Sequence, residues 1–422
     1  MRDKGLTYII HSIKLLCVLV SFSVKAEDTI KLNLPQADSL FFANNFYLLA
    51  SQMNIEAQKA QIIQAKLYPN PIFTADLNAY NPNQDKIFHV GKTGQKGFQI
   101  EQLIVLGGKR KSEIEIAKTN ATIAELEFQQ LVRQLKFQLH TDLFTVGQQQ
   151  FLLSSYNSKL ALLETMLNSY QIQADKGNIP LKDVVRLKGA YLKLNNDRAE
   201  LYKAYFEAQT NLQVLLQTTS VVEFLFSEQE IEKYIKNNTL PDIQFEATLN
   251  RPELLLMEQD KILAEQYIQY QKKQAIPDIN LFSSYDQRSG AFNNQINAGI
   301  SIPIPLWNRN QGNIKSAQFK LQETNYNFQA MQNEIISGLK NSYTFYSQTV
   351  SEYKKVTTLY NQDFEITING MSDNFQKRNI SMVEFIDFFE AYTEVLTELT
   401  RIKTQLVISG EQLNLLIGKD IY

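Results

Sequence analysis

Three carboxylates follow two similar turns, and they are the residues of this sequence best placed to do chemistry. Asp183 follows Lys176-Gly177-Asn178-Ile179-Pro180, and Glu384 and Asp387 follow Lys377-Arg378-Asn379-Ile380-Ser381. The two turns match at a spacing of 201 residues as K-[GR]-N-I-[PS]. Each lies between two long helical patterns, so each is the tip of a helical hairpin. Pro180 and Ser381 suit the start of the returning helix. Glu384 and Asp387 are three apart and share one helix face. In a threefold assembly they would form stacked rings of six carboxylates around the axis. Such rings favour cations and repel one another, which is the chemistry of a gate. The same acids also suit a solvated helix N-terminus, where the macrodipole stabilises negative charge. Spacing leaves both readings open.

No other constellation supports catalysis. The sequence has no G-x-S-x-G, no H-E-x-x-H and no P-loop. Leu106-Gly107-Gly108-Lys109-Arg110 lacks the phosphate-loop spacing and reads as a strand-to-helix corner with a basic cluster at a membrane edge. His89 falls in a polar loop and His140 in mid-helix, with no histidine partner one turn away, so a structural role is expected of a lone helical histidine. Cys17 is the only cysteine, which excludes a disulfide scaffold, a cysteine-rich zinc site and an iron–sulfur cluster. The expectation is a protein that is not an enzyme and holds no cofactor or metal centre. With 42 Lys+Arg against 44 Asp+Glu, the net charge of −2 argues against nucleic acid as a partner.

The elements that must position the acids are long helices. Prolines are missing between Pro82 and Pro180 and again after Pro305, and both gaps carry 3-4 spacing of sheltered residues. One seam runs Ile114, Ala117, Ala121, Ala124, Phe128, Leu131, Leu135, Gln138, Asp142, Thr145. The other runs Ile314, Ala317, Leu321, Thr324, Phe328, Met331, Ile335, Gly338, Ser342, Phe345, Thr349. The seams superpose at an offset of 200, so the chain is an internal duplication. Residues 27–216 form one repeat, 251–422 the other, and 217–250 a segment between them with a short strand near 220–226 and a short charged helix. Each repeat reads helix, strand pair, long helix, turn, long helix. The helix from Ser112 to Lys176 would be about 95 Å long at 1.5 Å per residue.

The strand pairs alternate in period two: 73–79 with 98–103, and 279–285 with 296–302, joined by polar loops near 81–96 and 286–295. Such segments fit transmembrane β-hairpins. Four strands cannot close a barrel, whereas three copies would supply twelve; a soluble sheet capping a helical bundle is the alternative. A basic start, an apolar run of about ten residues and Val24-Lys25-Ala26 make residues 1–26 a signal peptide, too short to span a bilayer.

Three motifs resemble one family. Ile302-Pro303-Ile304-Pro305-Leu306-Trp307-Asn308-Arg309-Asn310-Gln311-Gly312 is similar to the P-[IL]-P-[LIF]-[FW]-N-R-N-Q-G corner of the cobalt–zinc–cadmium efflux outer-membrane components, within the TolC-like outer-membrane efflux proteins. Leu106-Gly107-Gly108-Lys109-Arg110 resembles the matching corner of their first half, and Asn250-Arg251-Pro252-Glu253-Leu254 their R-P-[DE]-L helix start. The resemblance implies a mostly α fold with a transmembrane β part: a homotrimer with a twelve-stranded barrel among outer-membrane lipids and an α-helical tunnel in the periplasm of a Gram-negative bacterium. It implies a periplasmic adaptor at the tips 176–181 and 377–382, an inner-membrane pump, often proton-driven, and an aperture lined by acids that fall on Glu384 and Asp387. The implied function is a passive exit duct for divalent heavy-metal cations. A multidrug or type I secretion duct of the same fold and a non-conducting coiled-coil tether are the alternatives. Many metal-efflux relatives carry a lipidated N-terminal cysteine, and this chain has none outside its leader.

Overall fold

A computed structural model describes residues 28–288, 291–359, 363–377 and 379–422. The proposed signal peptide, and Arg378 of the second turn, lie outside the described residues. In chain order the elements are β1 (Thr29–Leu32), α1 (Leu34–Asn44), α2 (Phe46–Ala65), β2 (Ile72–Leu77), β3 (Tyr80–Asn81), β4 (Lys86–Ile87) and β5 (Gln95–Ile104). Then come α3 (Lys109–Asp175), α4 (Leu181–Leu216), β6 (Val221–Phe224), α5 (Glu228–Glu232), α6 (Leu240–Asn250) and α7 (Pro252–Gln274). The chain closes with β7 (Ile279–Arg288), β8 (Phe292–Ser301), α8 (Gln311–Leu359), α9 (Asp363–Gln376) and α10 (Met382–Ile417). No described helix is long and apolar enough to cross a membrane. The chain divides into two compact units.

The unit holding the hairpin turns comprises residues up to Asn44, Asp142–Glu228 and Glu365–Thr400. Its core is a helical cluster in which Leu163, Leu187 and Phe385 are fully buried beside Met166, Phe375 and Phe389. Burying side chains of this size contributes roughly 1.5–3 kcal/mol each. Tyr170 stacks on Phe375 at 5.5 Å, and Phe375 on Phe385 at 4.5 Å. The strand expected near 220–226 is β6, and it pairs in parallel with β1. Its other edge is closed by a side chain: Gln209 Nε2 donates to the Val222 carbonyl (2.6 Å), and Val222 N donates to Gln209 Oε1 (3.0 Å). Two backbone groups of a short strand are thereby satisfied.

The other unit comprises Asn45–Thr141, Gln229–Phe364 and Arg401–Tyr422. It contains a four-stranded antiparallel sheet in the order β2-β5-β7-β8. Its register puts Phe73, Ala75, Phe98, Ile100, Leu281, Tyr285, Ile296 and Ile300 on one face. Thr74, Asp76, Gln99, Glu101, Ser284, Asp286 and Asn297 lie on the other. The period-two alternation therefore gathers most of the apolar side chains on one face and most of the polar ones on the other, where Ile72, Leu103 and Phe282 are the apolar exceptions. The second hairpin is tighter than its sequence suggested, because β7 and β8 extend to Arg288 and Phe292.

In α8 the heptad positions Ile314, Ala317, Leu321, Thr324, Phe328, Met331, Ile335, Gly338 and Ser342 are all sheltered, while most residues between them are exposed. The seam then slips by one. Phe345 is 50% exposed and Tyr346 only 3%. A straight helix drifts against a strict seven-residue repeat. Here a new partner also takes over: Tyr346 Oη donates to the Tyr234 carbonyl (2.7 Å) and accepts from Lys236 N (3.0 Å).

Candidate functional site

The turns, the corners and the sheet face are the features that could carry function. The two turns close alike. Asn178 N donates to the Gln173 carbonyl and Asn379 N to the Asn374 carbonyl, at 2.9 and 2.8 Å. Their side chains repeat the link, Asn178 Nδ2 to Gln173 Oε1 (2.8 Å) and Asn379 Nδ2 to Asn374 Oδ1 (3.1 Å). Each asparagine thus ties off the carbonyl end of the outgoing helix, which has no intrahelical donor left. Gly177 takes φ +75°, the left-handed conformation glycine adopts at least cost. Lys176, Gly177, Asn178, Lys377 and Asn379 are exposed, and Ile179 and Ile380 are half-buried.

The returning helices start differently. Pro180 precedes α4 without a side-chain cap. At α10, Ser381 N donates to Glu384 Oε2 (2.8 Å) and Glu384 N to Ser381 Oγ (3.3 Å). This capping box satisfies orphan donors at the helix start. The bond from the Ser381 backbone holds the Glu384 carboxyl below the usual carboxylate range. Glu384 and Asp387 are exposed and Asp183 is half-buried. Glu384 therefore caps a helix, as the helix-start reading expects, and its side chain stands exposed at a turn. Nearby, α4 and α10 line a groove of about 370 Å³ with Asp197, Glu390, Glu394 and Glu398 on its wall. The three glutamates follow one helix ridge at i, i+4 and i+8.

The Leu106–Arg110 segment is a corner, but its basic residues are not displayed at an edge. Lys109 is buried, and its Nζ lies 2.8 Å from Asp278 Oδ1, which also accepts from Leu106 N (2.9 Å). Arg110 stacks its guanidinium over the Tyr68 ring at 3.8 Å. Gly107 and Gly108 have φ +69° and +71°, and a Cβ on Gly107 would lie 2.8 Å from Ile276 Cδ1. The segment from Pro303 to Gly312 is the second corner. Arg309 N donates to Gln311 Oε1, Gln311 Nε2 to the Trp307 carbonyl, and Asn310 N to Asn308 Oδ1. Arg309 Nε donates to the Pro305 carbonyl, and Asn310, at φ 60°, donates from Nδ2 to the carbonyl and Oε1 of Gln271.

Sequence reasoning missed two buried polar groups. His140 is buried as expected of a structural histidine, and its Nδ1 lies 2.8 Å from Glu411 Oε1. Tyr234 Oη donates to the same carboxylate oxygen (2.5 Å), and Gly410 leaves room for its ring. Burial pushes the Glu411 carboxyl up, but the hydrogen bonds and charge from His140 and the Tyr234 bond outweigh it and hold it low. In the other unit, Lys159 is buried with no hydrogen-bond partner for its Nζ, which sits 4.7 Å from the centre of the Tyr392 ring. Burial lowers its pKa to about 8. No periodicity marks either group, because what identifies them is a partner far away in sequence. Among the described residues no three His, Cys, Asp or Glu side chains converge to hold a metal ion.

Long helices that turn back at matched tips, joined through glycine and asparagine corners to a sheet with one apolar face, give the chain the fold of the TolC-like outer-membrane channels. Residues 245–419 match the family described as outer membrane efflux protein. It is 25% identical over 297 residues to the cobalt-zinc-cadmium resistance protein CzcC of Cupriavidus metallidurans. That match spans 68% of this chain and 66% of the relative, just under two-thirds of its length. Among solved structures, the fold is similar to that of CusC, crystallised in a study of transmembrane channel formation, with TM-score 0.70, 16% identity and 92% coverage of both chains. It is also similar to the outer membrane protein VceC of Vibrio cholerae, with TM-score 0.71, 12% identity, and coverage of 92% of this chain and 97% of that one.

Proposed function

We propose that this chain is the outer-membrane exit duct of a tripartite efflux system. Three copies close the sheet into a twelve-stranded barrel and conduct substrate passively from a periplasmic adaptor and an inner-membrane pump, the latter proton-driven. The observation that carries this reading is the sheet. Its apolar face is open, with Phe73 68%, Ile296 78% and Ile300 65% exposed. Its two edge strands, β2 and β8, have no further strand beside them among the described residues. A soluble sheet capping helices would bury that face, and an open edge invites pairing with another chain. A closed barrel removes the edges and gives the apolar face to lipid and the polar face to water. The family match and the channel folds of the structural neighbours support the same reading and favour a non-enzyme.

Divalent heavy-metal cations are the proposed cargo, supported by the likeness to a cobalt-zinc-cadmium resistance protein. Glu384, Asp387 and Asp183 are the proposed aperture, and residues 176–181 and 377–382 the proposed adaptor contacts. Single-channel conductance in planar bilayers tests both duct and gate. Wild type should give small, cation-selective openings, and Glu384→Ala/Asp387→Ala should enlarge them. Folded, inserted protein without conductance would reject the duct in favour of the tether. Conductance that the double substitution leaves unchanged would move the gate elsewhere.

A further inference from the structure

The loop between β2 and β5 reads as a polar connection, yet it is folded. Tyr80 pairs with Ile87 and Asn81 with Lys86 in a small antiparallel hairpin. Phe88 N donates to the Ala79 carbonyl (2.9 Å) and Gln95 N to the His89 carbonyl (2.9 Å). His89 is buried in the loop, its Nδ1 3.3 Å from Asn81 Nδ2 and its Nε2 3.1 Å from Thr93 Oγ1. Gly94 is required by the close packing, since a Cβ there would lie 2.0 Å from the His89 carbonyl oxygen.

The loop is seated on one particular face of the sheet. Gln287 is 5% exposed, and its Nε2 donates to the carbonyls of Gly91 and Lys92, both at 2.9 Å. Gln287 lies on the apolar face. It accepts from Tyr285 Oη (3.3 Å), and Tyr285 ends the stacked row Phe73–Phe98–Tyr285, whose centroids are 6.2 Å apart at each step. The loop therefore laps the apolar side of the sheet, at the end away from the helix corners.

Its exposed side chains continue that face. Tyr80 and Ile87, opposite each other in the hairpin and so on one side of it, are 54% and 75% exposed. Phe88 is 64% exposed and held out by a backbone at φ 48°. Around them the charge reverses relative to the whole chain. Residues 78–96 carry Lys86, Lys92 and Lys96 and a single acid, Asp85, which accepts from Tyr80 Oη (3.0 Å), whereas the chain as a whole carries −2. Aromatic rings at headgroup depth and lysines beside anionic lipid are the usual contacts of a protein with a membrane surface.

We propose that residues 78–96 form a flap that beds on the membrane surface around the sheet. Tyr80, Ile87 and Phe88 enter the lipid, and Lys86, Lys92 and Lys96 meet anionic phosphate headgroups. The proposal rests on the reading of the sheet as a membrane-spanning wall, and the test separates the two. The full chain, with Cys17→Ser, is reconstituted into vesicles of phosphatidylcholine with and without phosphatidylglycerol. A polarity-sensitive label is placed at Phe88→Cys or, separately, at Ile296→Cys on the apolar face, and lipid spin-labelled near the headgroup serves as quencher. Both positions are exposed, so neither substitution disturbs packing.

The expected result is blue-shifted, quenched emission at both positions. Quenching at residue 88 should be stronger with phosphatidylglycerol, and Lys86→Gln/Lys92→Gln/Lys96→Gln should remove that increment. Gly94→Ala should unseat the flap, abolishing quenching at 88 while sparing 296. Water-like, unquenched emission at 88 beside quenched emission at 296 overturns the flap and leaves the wall standing. Unquenched emission at both overturns the wall and the flap with it. Quenching at 88 that ignores phosphatidylglycerol overturns the assignment of the lysines to anionic headgroups.

Discussion

The two corners lie at corresponding points of the duplication, where a strand hands over to a long helix, and they are held by opposite means. The first is fastened from a distance: Lys109 reaches Asp278, the same aspartate receives the Leu106 N–H, and Gly107 lets Ile276 pack against the backbone. The second is fastened mostly to itself, by bonds among residues 305–313, and Trp307 at its middle is 86% exposed. Its one long reach is from Asn310 to Gln271. What the corners share is a left-handed residue, Gly107 and Gly108 in one and Asn310 in the other. The backbone turn is the common requirement, and two unrelated sets of contacts meet it.

The two corners should respond unequally to loss of a charge. Lys109→Ala removes the buried partner of a partly exposed aspartate and should cost about 2.5 kcal/mol, the range of a hydrogen bond to a charged group. Arg309→Ala removes an exposed side chain with one long hydrogen bond and should stay within about 0.5 kcal/mol. Urea unfolding of the detergent-solubilised chain reads both; equal shifts of the midpoint would deny the distinction. Asn310 sharpens it. Asn310→Ala loses three side-chain hydrogen bonds and strains a left-handed backbone, and should cost about 2 kcal/mol. Asn310→Gly relieves the strain but not the lost bonds, so it should recover roughly half of that.

A buried lysine in the helical hairpins gives a prediction of opposite sign. Lys159 has its pKa lowered to about 8 from the usual lysine value by burial. The unfolded chain therefore binds more protons between about pH 8 and 10.4. Stability should rise with pH through that window as the buried ammonium is neutralised. Lys159→Met should remove the rise and stabilise the chain at pH 7 by about 1–2 kcal/mol, the Tyr392 ring offsetting part of the burial cost. A flat pH response in the native chain would contradict the assignment.

Much of this architecture was legible in sequence because it is periodic or punctuated. The α8 seam is visible residue by residue from Ile314 to Ser342, the proline-free stretches hold α3 and α8, and the prolines at 71 and 277 stand just before β2 and β7. The turn asparagines were visible as a repeat, although their bonds to Gln173 and Asn374 were not. What stayed hidden depends on partners remote in sequence. β1 has no meaning until β6 arrives from 192 residues away. Lys109 looked like surface charge because Asp278 is not its neighbour in the chain. The loop near 81–96 reads only as polar, because its order comes from side-chain bonds such as Asn81–His89 and from the reach of Gln287, which no local propensity encodes.

The smallest expected effect separates the two tips. Both are closed by the same asparagine wrap, but only the second returning helix has a capping box. Ser381→Ala should therefore cost about 1 kcal/mol, whereas Pro180→Ala, which removes no cap bond, should cost less through the added freedom of the unfolded chain. The pH dependence distinguishes them further. The folded-state pKa of Glu384 is depressed by the bond from Ser381 N, so its contribution is present above the unfolded carboxylate value and is lost as pH falls through the folded one. Hydrogen exchange at the first turn of α10 should accelerate on acidification, relative to the intrinsic rate, in the native chain. It should not do so in Glu384→Gln, whose amide keeps an acceptor but does not titrate. The first turn of α4 should show the weaker response of a helix start that relies on no side-chain cap. If both starts loosen together on acidification, the asymmetry of the tips is cosmetic and Glu384 is free to act at the aperture alone. If only α10 loosens, the carboxylate proposed to line the aperture also holds the helix that carries it, and protonation would change the charge of the opening and the order of its wall in one step.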